Sequence, residues 1–211
     1  MSTILYRSVE EATALETVIE KSRFIAHVMP ISDFEEGKAF VARIKEEYKD
    51  ATHNVPAVIF GEKMEWKWAS DDGEPQGTAG MPVLNAAASR GITNVAIVVT
   101  RYFGGVKLGT GGLTRAYGGI AKDALDQAGI CDVKQSITVE VEVGYPYLSS
   151  IQNFCNQGVF KIEDIVYTDV VTLKISTDYD KDNELCSFLQ ELTSGSEKIL
   201  RKESGKIKIR C

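Results

Sequence analysis

The sequence lacks the features that mark membrane, secreted and disordered proteins. Its longest apolar run, VAIVV at 95–99, is far shorter than the roughly 20 residues that a membrane-spanning helix needs. The opening residues MSTILYRSVEEA contain no basic segment followed by an apolar run, so we expect no signal peptide and no membrane partner. With 44% hydrophobic and 26% charged residues, the composition is that of an ordinary folded protein.

Cysteine and histidine are sparse, which argues against several common kinds of site. The four cysteines are Cys131, Cys155, Cys186 and Cys211. They are scattered, with no C-x-x-C pair, which indicates reduced thiols and predicts a cytoplasmic protein. The two histidines have no neighbouring cluster of Cys or Glu, so we expect no zinc site. We interpret His27 as structural, and His53, at the start of a strand, as a candidate functional residue.

The formal net charge of −6 argues against a globally basic nucleic-acid binder. Residues 198–210 are a local exception, because this segment contains six basic residues and only one acidic residue, Glu203. These RNA-contact candidates, called the basic strip below, are Lys198, Arg201, Lys202, Lys206, Lys208 and Arg210. Alternatively, the strip is a solvated terminal strand whose charges are balanced by acidic neighbours.

The first half of the chain alternates between strand and helix patterns. The predicted strands are 22–28, which is apolar and partly β-branched, 55–60 and 94–100. The chain turns back after 55–60 through Trp66 and Trp68, which are at strand spacing. Asp33 is placed to cap a helix that runs to about residue 48. Further helices are predicted from about residue 81, with Pro82 in the first turn, and over 114–128, where Gly129 ends the helix.

The second half starts a new pattern near Ser136. Apolar and polar residues alternate over 137–143, as in a half-exposed strand. The later predicted elements are a helix over 148–157 ended by Gly158, strands over 160–167 and 170–177, a helix over 180–193 and a strand over 199–209. The order βαββαβ predicts a ferredoxin-like sheet with two helices on one face. We place a linker at 130–136 and predict two domains, 1–134 and 135–211.

Glycine is concentrated in one part of the chain, because eleven of the 18 glycines lie between Gly73 and Gly119. Such clustering is typical of backbone that turns tightly or approaches a ligand. The first glycine-rich loop, SDDGEPQGTAG at 70–80, combines three carboxylates with three glycines. Its candidate residues are Ser70, Asp71, Asp72, Gly73, Glu74, Gly77, Thr78 and Gly80. The carboxylates suit a divalent cation, general acid–base chemistry or capping of the next helix. Because no complete calcium-loop pattern is present, we expect no metal and no cofactor.

The second glycine-rich loop, TRYFGGVKLGTGGLTR at 100–115, joins a buried strand to a helix and contains no acidic residue. Backbone amides, a helix N-terminus and fixed cations together predict an anion site for phosphate or a nucleic-acid backbone. Its candidate residues are Arg101, Tyr102, Phe103, Gly104, Gly105, Lys107, Gly109, Gly111, Gly112 and Arg115, joined by His53 and Asn54 from the preceding strand. The two aromatic residues offer a stacking surface. Alternatively, the glycines only allow close packing and the aromatics belong to the core.

Several long motifs resemble the YigZ/IMPACT family. They are KSRF at 21–24, ATHN at 51–54, SDDGEPQGTAGMP at 70–82 and NVAIVVTRYFGGVKLGTGGLTRAY at 94–117. They occur in the family's order and cover roughly residues 15–130. The remainder resembles the small C-terminal domain of bacterial members. The resemblance implies an α+β protein: an N-terminal two-layer α/β domain related to GHMP kinases and to domain IV of elongation factor G, and a C-terminal ferredoxin-like domain similar to domain V.

Three functional hypotheses follow. The first is a non-catalytic regulatory protein that contacts RNA or the translation machinery through the glycine-rich basic loop. The second is an enzyme acting on a small phosphorylated metabolite or nucleotide, with His53 or a carboxylate of the first loop moving a proton. This hypothesis requires His53 and both loops to converge on one pocket. The third is a regulator that binds another protein through an exposed apolar patch at Tyr102 or Phe103.

Overall fold

The computed structural model describes residues 4–156 and 160–210. In chain order the elements are β1 (Ile4–Val9), β2 (Thr13–Ile19), β3 (Ser22–Pro30), α1 (Phe34–Glu47), β4 (His53–Phe60), β5 (Trp66–Ala69), α2 (Gly80–Ala88), β6 (Val95–Tyr102), α3 (Gly109–Gln127), β7 (Ile130–Val143), α4 (Leu148–Cys155), β8 (Phe160–Tyr167), β9 (Val171–Asp178), α5 (Asp182–Thr193) and β10 (Lys198–Arg210). The predicted helix end at Gln157 and Gly158 lies outside the described residues, as does Cys211. None of the described helices is long and apolar enough to cross a membrane.

The described residues fall into two spatial units. The N-terminal unit comprises residues 6–132 and 209–210, and the C-terminal unit comprises residues 133–208 and 4–5. The domain limits 1–134 and 135–211 stay a prediction, because spatial division and independent folding are different properties.

A five-stranded antiparallel sheet organises the N-terminal unit, with strand order β2-β3-β6-β4-β5. Helices α2 and α3 cover one face, where Phe24, Val55 and Val99 pack against residues such as Tyr117. Helix α1 covers the other face through Phe40, Val41 and Ile44, which pack against Val58, Ala96 and Val98. The expectation of two layers is therefore corrected to three. Burial on both faces explains why β4 and β6 are apolar at nearly every position.

Helix α1 begins where its capping residue predicts. The Asp33 carboxylate accepts a hydrogen bond from the Glu36 N–H at 2.7 Å, which satisfies one of the free donors of the first turn. Helix α3, in contrast, begins at Gly109 rather than near residue 114. The low helix propensity of glycine conceals this turn in the sequence. Leu113 and Ala116 nevertheless extend the buried face of the helix to its start.

The C-terminal unit has the predicted ferredoxin-like order. Its sheet has the strand order β10-β7-β9-β8, and the β7–β9 and β8–β9 pairs are antiparallel. Helices α4 and α5 cover one face, where Ile151, Leu185 and Leu189 pack on Val141 and Leu173. This confirms the α+β class.

Three elements differ from the sequence prediction. The segment 130–136, expected to be a linker, is the first part of β7, and its Cys131 and Val133 are buried. Strand β1, which the sequence did not predict, is a fifth member of the C-terminal sheet. Strand β2 was missed because its alternation is blurred: Leu15 and Ile19 pack against the core, but Val18 on the opposite side is 65% exposed.

Candidate functional site

The two glycine-rich loops and His53 meet at one end of the N-terminal sheet. Strands β4 and β6 are antiparallel neighbours, and their register places His53 opposite Arg101 and Asn54 opposite Thr100. The loop at 70–79 leads into α2 beside these residues, and the loop at 103–108 leads from β6 into α3. His53 and residues of both loops therefore lie close together, while the single pocket required by the enzyme hypothesis stays a prediction for His53.

Glu74 is the centre of this cluster. Its side chain is only 4% exposed, and its Oε1 atom accepts hydrogen bonds from Arg101 Nη1 at 2.6 Å and from the Tyr117 hydroxyl at 2.8 Å. The Nε2 atom of His53 lies 3.8 Å from the same oxygen. Burial, followed by the charge and the hydrogen bond of Glu74, raises the pKa of Tyr117 well above its ordinary value. Tyr117 therefore acts as a neutral donor to the carboxylate.

Arg101 is an internal cation rather than the exposed phosphate ligand that the sequence suggested. The residue is 4% exposed. Its Nη2 donates to Ser22 Oγ at 3.2 Å, and its guanidinium lies 5.4 Å from the ring centroids of both Phe24 and Phe103. Because Glu74 already balances its charge, Arg101 attracts an external anion only weakly.

His53 is oriented by the backbone of the first loop. Its Nδ1 lies 2.8 Å from the carbonyl oxygen of Asp72. A carbonyl oxygen only accepts hydrogen bonds, so Nδ1 carries the proton. In the neutral ring, Nε2 is then left as an acceptor facing Glu74. Nε2 and Glu74 Oε1 lie 3.8 Å apart, which is too far for a hydrogen bond.

Asp72 and Asn54 fix the position of the first loop. The Asp72 carboxylate accepts from Lys45 Nζ at 2.5 Å and from the Asn54 N–H at 2.6 Å. The Asn54 side chain donates to the Tyr48 carbonyl at 2.9 Å and accepts from the Thr100 hydroxyl at 2.7 Å. Both residues thus have structural partners on all sides. Gly73 follows them at φ +88° and passes beside the His53 ring.

Asp71 caps the loop and the start of α2, one of the roles that the sequence left open. Its carboxylate accepts hydrogen bonds from the N–H groups of Gly77 at 2.8 Å, Ala79 at 3.0 Å and Gly80 at 2.8 Å. Burial raises the pKa of Asp71, but these three donors outweigh it and hold the pKa below its ordinary value.

The remaining polar groups of this loop bond within it. The Ser70 hydroxyl accepts from the Asp72 N–H at 3.2 Å, and Thr78 donates to the Pro75 carbonyl at 2.6 Å. No group of His, Cys, Asp and Glu suited to a metal ion occurs in residues 4–156 and 160–210.

The start of the second loop is anchored to neighbouring segments. Tyr102 donates to Asp50 at 2.9 Å, and the Phe103 N–H donates to Thr52 Oγ1 at 3.0 Å. The Phe103 side chain remains 45% exposed. Gly104 packs directly against backbone, because a Cβ there would lie 1.8 Å from the Lys21 carbonyl oxygen. The close packing predicted for the glycines therefore holds at this position.

Beyond Gly104 the loop is exposed and basic. Gly105 and Gly109 have positive φ angles, and Gly111 and Gly112 lie in the first turn of α3. No side chain caps this helix start, and its first turn contains no acidic residue. Lys107 and Arg115 are exposed, and neither forms a salt bridge with any residue that the structure describes.

A cavity of about 390 Å³ is lined both by residues of the buried cluster and by the start of α3. Glu74, Arg101 and Lys107 all line it. Its walls are largely apolar, with contributions from Phe103 and Leu113. A second, open hollow of about 510 Å³ is lined by both Lys107 and Arg115. The site thus combines a buried polar cluster with an exposed basic helix start.

Two residues of the cluster were not predicted as site residues. Tyr117 and Ser22 lie within the motifs quoted above, at 94–117 and 21–24, and both are far from Glu74 in sequence. Tyr117 stands on the apolar face of α3, where an aromatic residue predicts core packing. No local signal indicates that its hydroxyl reaches Glu74.

The basic strip is paired with acidic residues over most of its length. The pairs are Lys198–Glu142 at 3.3 Å, Arg201–Glu203 at 2.5 Å, Lys202–Asp182 at 2.8 Å and Arg210–Glu10 at 3.5 Å. Lys206 and Lys208 also interact with other groups. These pairs match the alternative in which acidic neighbours balance the charges of the strip, and RNA contact by β10 stays a prediction.

Comparison with known proteins places these features in a family. Residues 20–125 match the model of the Impact N-terminal domain, and residues 141–196 match a domain of unknown function (DUF1949). The chain is 38% identical over 194 residues to IMPACT family member YvyE of Bacillus subtilis, which covers 92% of this chain and 89% of that protein.

Two further relatives differ in how much they share with the chain. IMPACT family member YigZ of Escherichia coli is 35% identical over 184 residues, covering 86% of this chain and 90% of that protein. Protein IMPACT of Mus musculus is 37% identical over 94 residues, which are 42% of this chain and 29% of the mouse protein. A solved structure described as that of a hypothetical protein is 32% identical, with a TM-score of 0.59, and covers 92% of this chain and 96% of its own.

Proposed function

The chain belongs to the IMPACT family. From this premise we propose that it is a regulatory protein that binds a phosphate-bearing ligand at the start of α3. RNA is the first candidate for that ligand. The translation machinery is the proposed source of that RNA. The proposal places the protein in the cytoplasm, where Cys155 and Cys186 remain thiols. The binding itself requires neither a metal nor a cofactor.

The observation that carries the proposal is the unneutralised charge at the start of α3. The free N–H groups of an uncapped helix start favour an anion, and the helix dipole adds to this attraction. Lys107 precedes this turn and Arg115 follows it, and neither has an acidic partner among the described residues. In contrast, Arg101 is balanced by Glu74, and most of the basic strip is balanced by the pairs given above.

The test compares two double variants with the same loss of charge. Lys107→Ala/Arg115→Ala removes the proposed site, and Lys198→Ala/Arg201→Ala is the matched control on β10. Anisotropy of a labelled single-stranded RNA is measured over a series of salt concentrations. Each lost phosphate contact on a single strand lowers the salt slope by about 0.7. We expect the first variant to lose affinity and slope, and the control to bind nearly as the wild type.

The source of the phosphate is distinguished by competition. If adenosine monophosphate displaces the RNA at a concentration close to its own Kd, the site takes a free nucleotide. If it does not, the polymer is the ligand. Equal binding by the wild type and the Lys107/Arg115 variant contradicts the proposal.

An enzyme acting on a small phosphorylated compound is the second candidate. It is favoured by the convergence of His53, Glu74 and Tyr117 beside the cavity. Native purification followed by mass spectrometry identifies a bound phosphorylated compound, and phosphorus NMR follows its conversion. For an enzyme, His53→Gln abolishes conversion and preserves binding. A compound that stays unchanged in the wild type excludes this candidate.

A further inference from the structure

Glu74 has one carboxylate oxygen without a partner. Arg101, Tyr117 and His53 all approach Oε1, at 2.6, 2.8 and 3.8 Å. The other oxygen, Oε2, accepts no hydrogen bond from the residues that the structure describes. Since the residue is only 8% exposed and lines the cavity, this oxygen lacks a donor in a largely apolar place. This oxygen is not fully enclosed, so a ligand in the cavity can donate a hydrogen bond to it in place of water.

The surroundings of Glu74 define the chemistry of that donor. Its negative charge is already balanced by Arg101, so a second cation gains little there. The apolar side chains of Phe103, Leu108 and Leu113 line the same cavity and disfavour a strongly hydrated group. An uncharged hydroxyl satisfies both conditions, because it donates one hydrogen bond and carries no charge.

Another part of the cavity lining favours a phosphate. Lys107 lines it, together with Gly109 and Thr110 of the first turn of α3. The volume of about 390 Å³ lies within the range of small-molecule sites, which begin at about 300 Å³. One bound group with a phosphate at the helix start and a hydroxyl near Glu74 would therefore use both parts of the lining.

We propose that the cavity is a subsite for the sugar of a ribose phosphate, in which Glu74 Oε2 accepts a hydrogen bond from a ribose hydroxyl. The inference rests on the proposed phosphate site and adds selectivity for ribose over deoxyribose. The 2′-hydroxyl is the group by which proteins distinguish RNA from DNA. A strand of RNA and a free ribonucleotide share this chemistry, so both are used as probes.

The experiment measures the ratio of two affinities. The Kd values of an RNA decamer of adenosine and of its DNA counterpart are compared, and so are those of adenosine monophosphate and its 2′,3′-dideoxy form. We expect the ribose form to bind about 10- to 100-fold more tightly, the factor that one hydrogen bond to a charged group provides. If only the decamers show the preference, the ligand is an RNA strand. If only the mononucleotides show it, the ligand is a free ribonucleotide.

Two variants separate the sugar subsite from the phosphate site. Glu74→Gln replaces the unpartnered oxygen with an NH₂ group that only donates, so the ratio falls to about 1. Lys107→Ala weakens both members of each pair and leaves the ratio unchanged. A wild-type ratio near 1 with measurable binding overturns the subsite and preserves the phosphate site. Absence of binding to every probe overturns both proposals.

A third variant covers the case in which Glu74→Gln does not fold. Thr110→Phe fills the cavity from the exposed side of α3 and leaves the Glu74–Arg101 pair intact. Thr114→Phe is the matched control, one turn further along the same helix and outside the cavity lining. We expect the ratio to fall in the first and to persist in the second. A Thr110→Phe protein that retains the full ribose preference overturns the inference.

Discussion

Arg101 and Glu74 form an ion pair inside the N-terminal unit, with 2.6 Å between Nη1 and Oε1 and side chains 5% and 4% exposed. One partner comes from the end of β6 and the other from the loop before α2. The pair links two segments that are distant in sequence and belong to different secondary-structure elements. It also explains why the most conspicuous basic residue of the second loop is not the one that meets solvent.

Removing either partner of this pair is expected to be strongly destabilising. Glu74→Ala or Arg101→Ala leaves a buried charge without compensation, which costs about 3–5 kcal/mol. Urea unfolding measures the loss. The matched control is Glu16→Ala, which breaks the exposed Arg23–Glu16 pair and has little measurable effect. Similar values for the buried and the exposed pair contradict the prediction.

Tyr117 makes stability depend on pH in alkaline solution. Its pKa is raised in the folded protein, whereas the unfolded residue ionises near its ordinary value of about 10. Its contribution is therefore fully present below about pH 10 and is lost as the pH rises further. Tyr117→Phe removes this dependence and also loses one hydrogen bond, worth about 1 kcal/mol at neutral pH. The difference in unfolding free energy between the two proteins should shrink above pH 10. A constant difference refutes the assignment.

His27 makes stability depend on pH in mildly acidic solution. It is 6% exposed, lies 4.8 Å from the Tyr48 ring, and its Nε2 has no hydrogen-bond partner among the described residues. Burial lowers the pKa of His27 below the ordinary value of about 6.5. Its contribution is present above that pH and is lost as the pH falls. We expect the wild type to lose more stability than His27→Gln between pH 7 and pH 5, and parallel curves would contradict this.

Two glycines of the same region should respond oppositely to alanine. A Cβ at Gly104 would lie 1.8 Å from a backbone oxygen, so Gly104→Ala forces the loop away from Lys21. A Cβ at Gly119 meets no atom within 4 Å, and the residue lies within α3. Gly119→Ala should therefore stabilise the protein by up to about 1 kcal/mol through helix propensity. Thermal unfolding compares the two, and a tolerated Gly104→Ala would show that the close approach is not needed.

The sequence by itself determined what local patterns can encode. The Asp33 cap, the buried runs of β4 and β6 and the βαββαβ order of the second half are all confirmed. They are predictable because capping and hydrophobic periodicity depend on residues within one or two turns of each other. The concentration of glycine likewise indicated both loops of the candidate site. Where the periodicity was blurred, as in β2, or masked by glycine, as at the start of α3, the prediction failed.

Only the tertiary structure decided which charged groups are available to a ligand. The order of the N-terminal strands sets His53 beside Arg101, and the packing of α3 brings Tyr117 to Glu74. These contacts join residues that are distant in sequence, and no local pattern specifies them. As a result Arg101 is neutralised, while Lys107 remains without an acidic partner among the described residues. The same sequence signal, a basic residue in a glycine-rich loop, thus has opposite outcomes because burial and pairing are properties of the assembled fold.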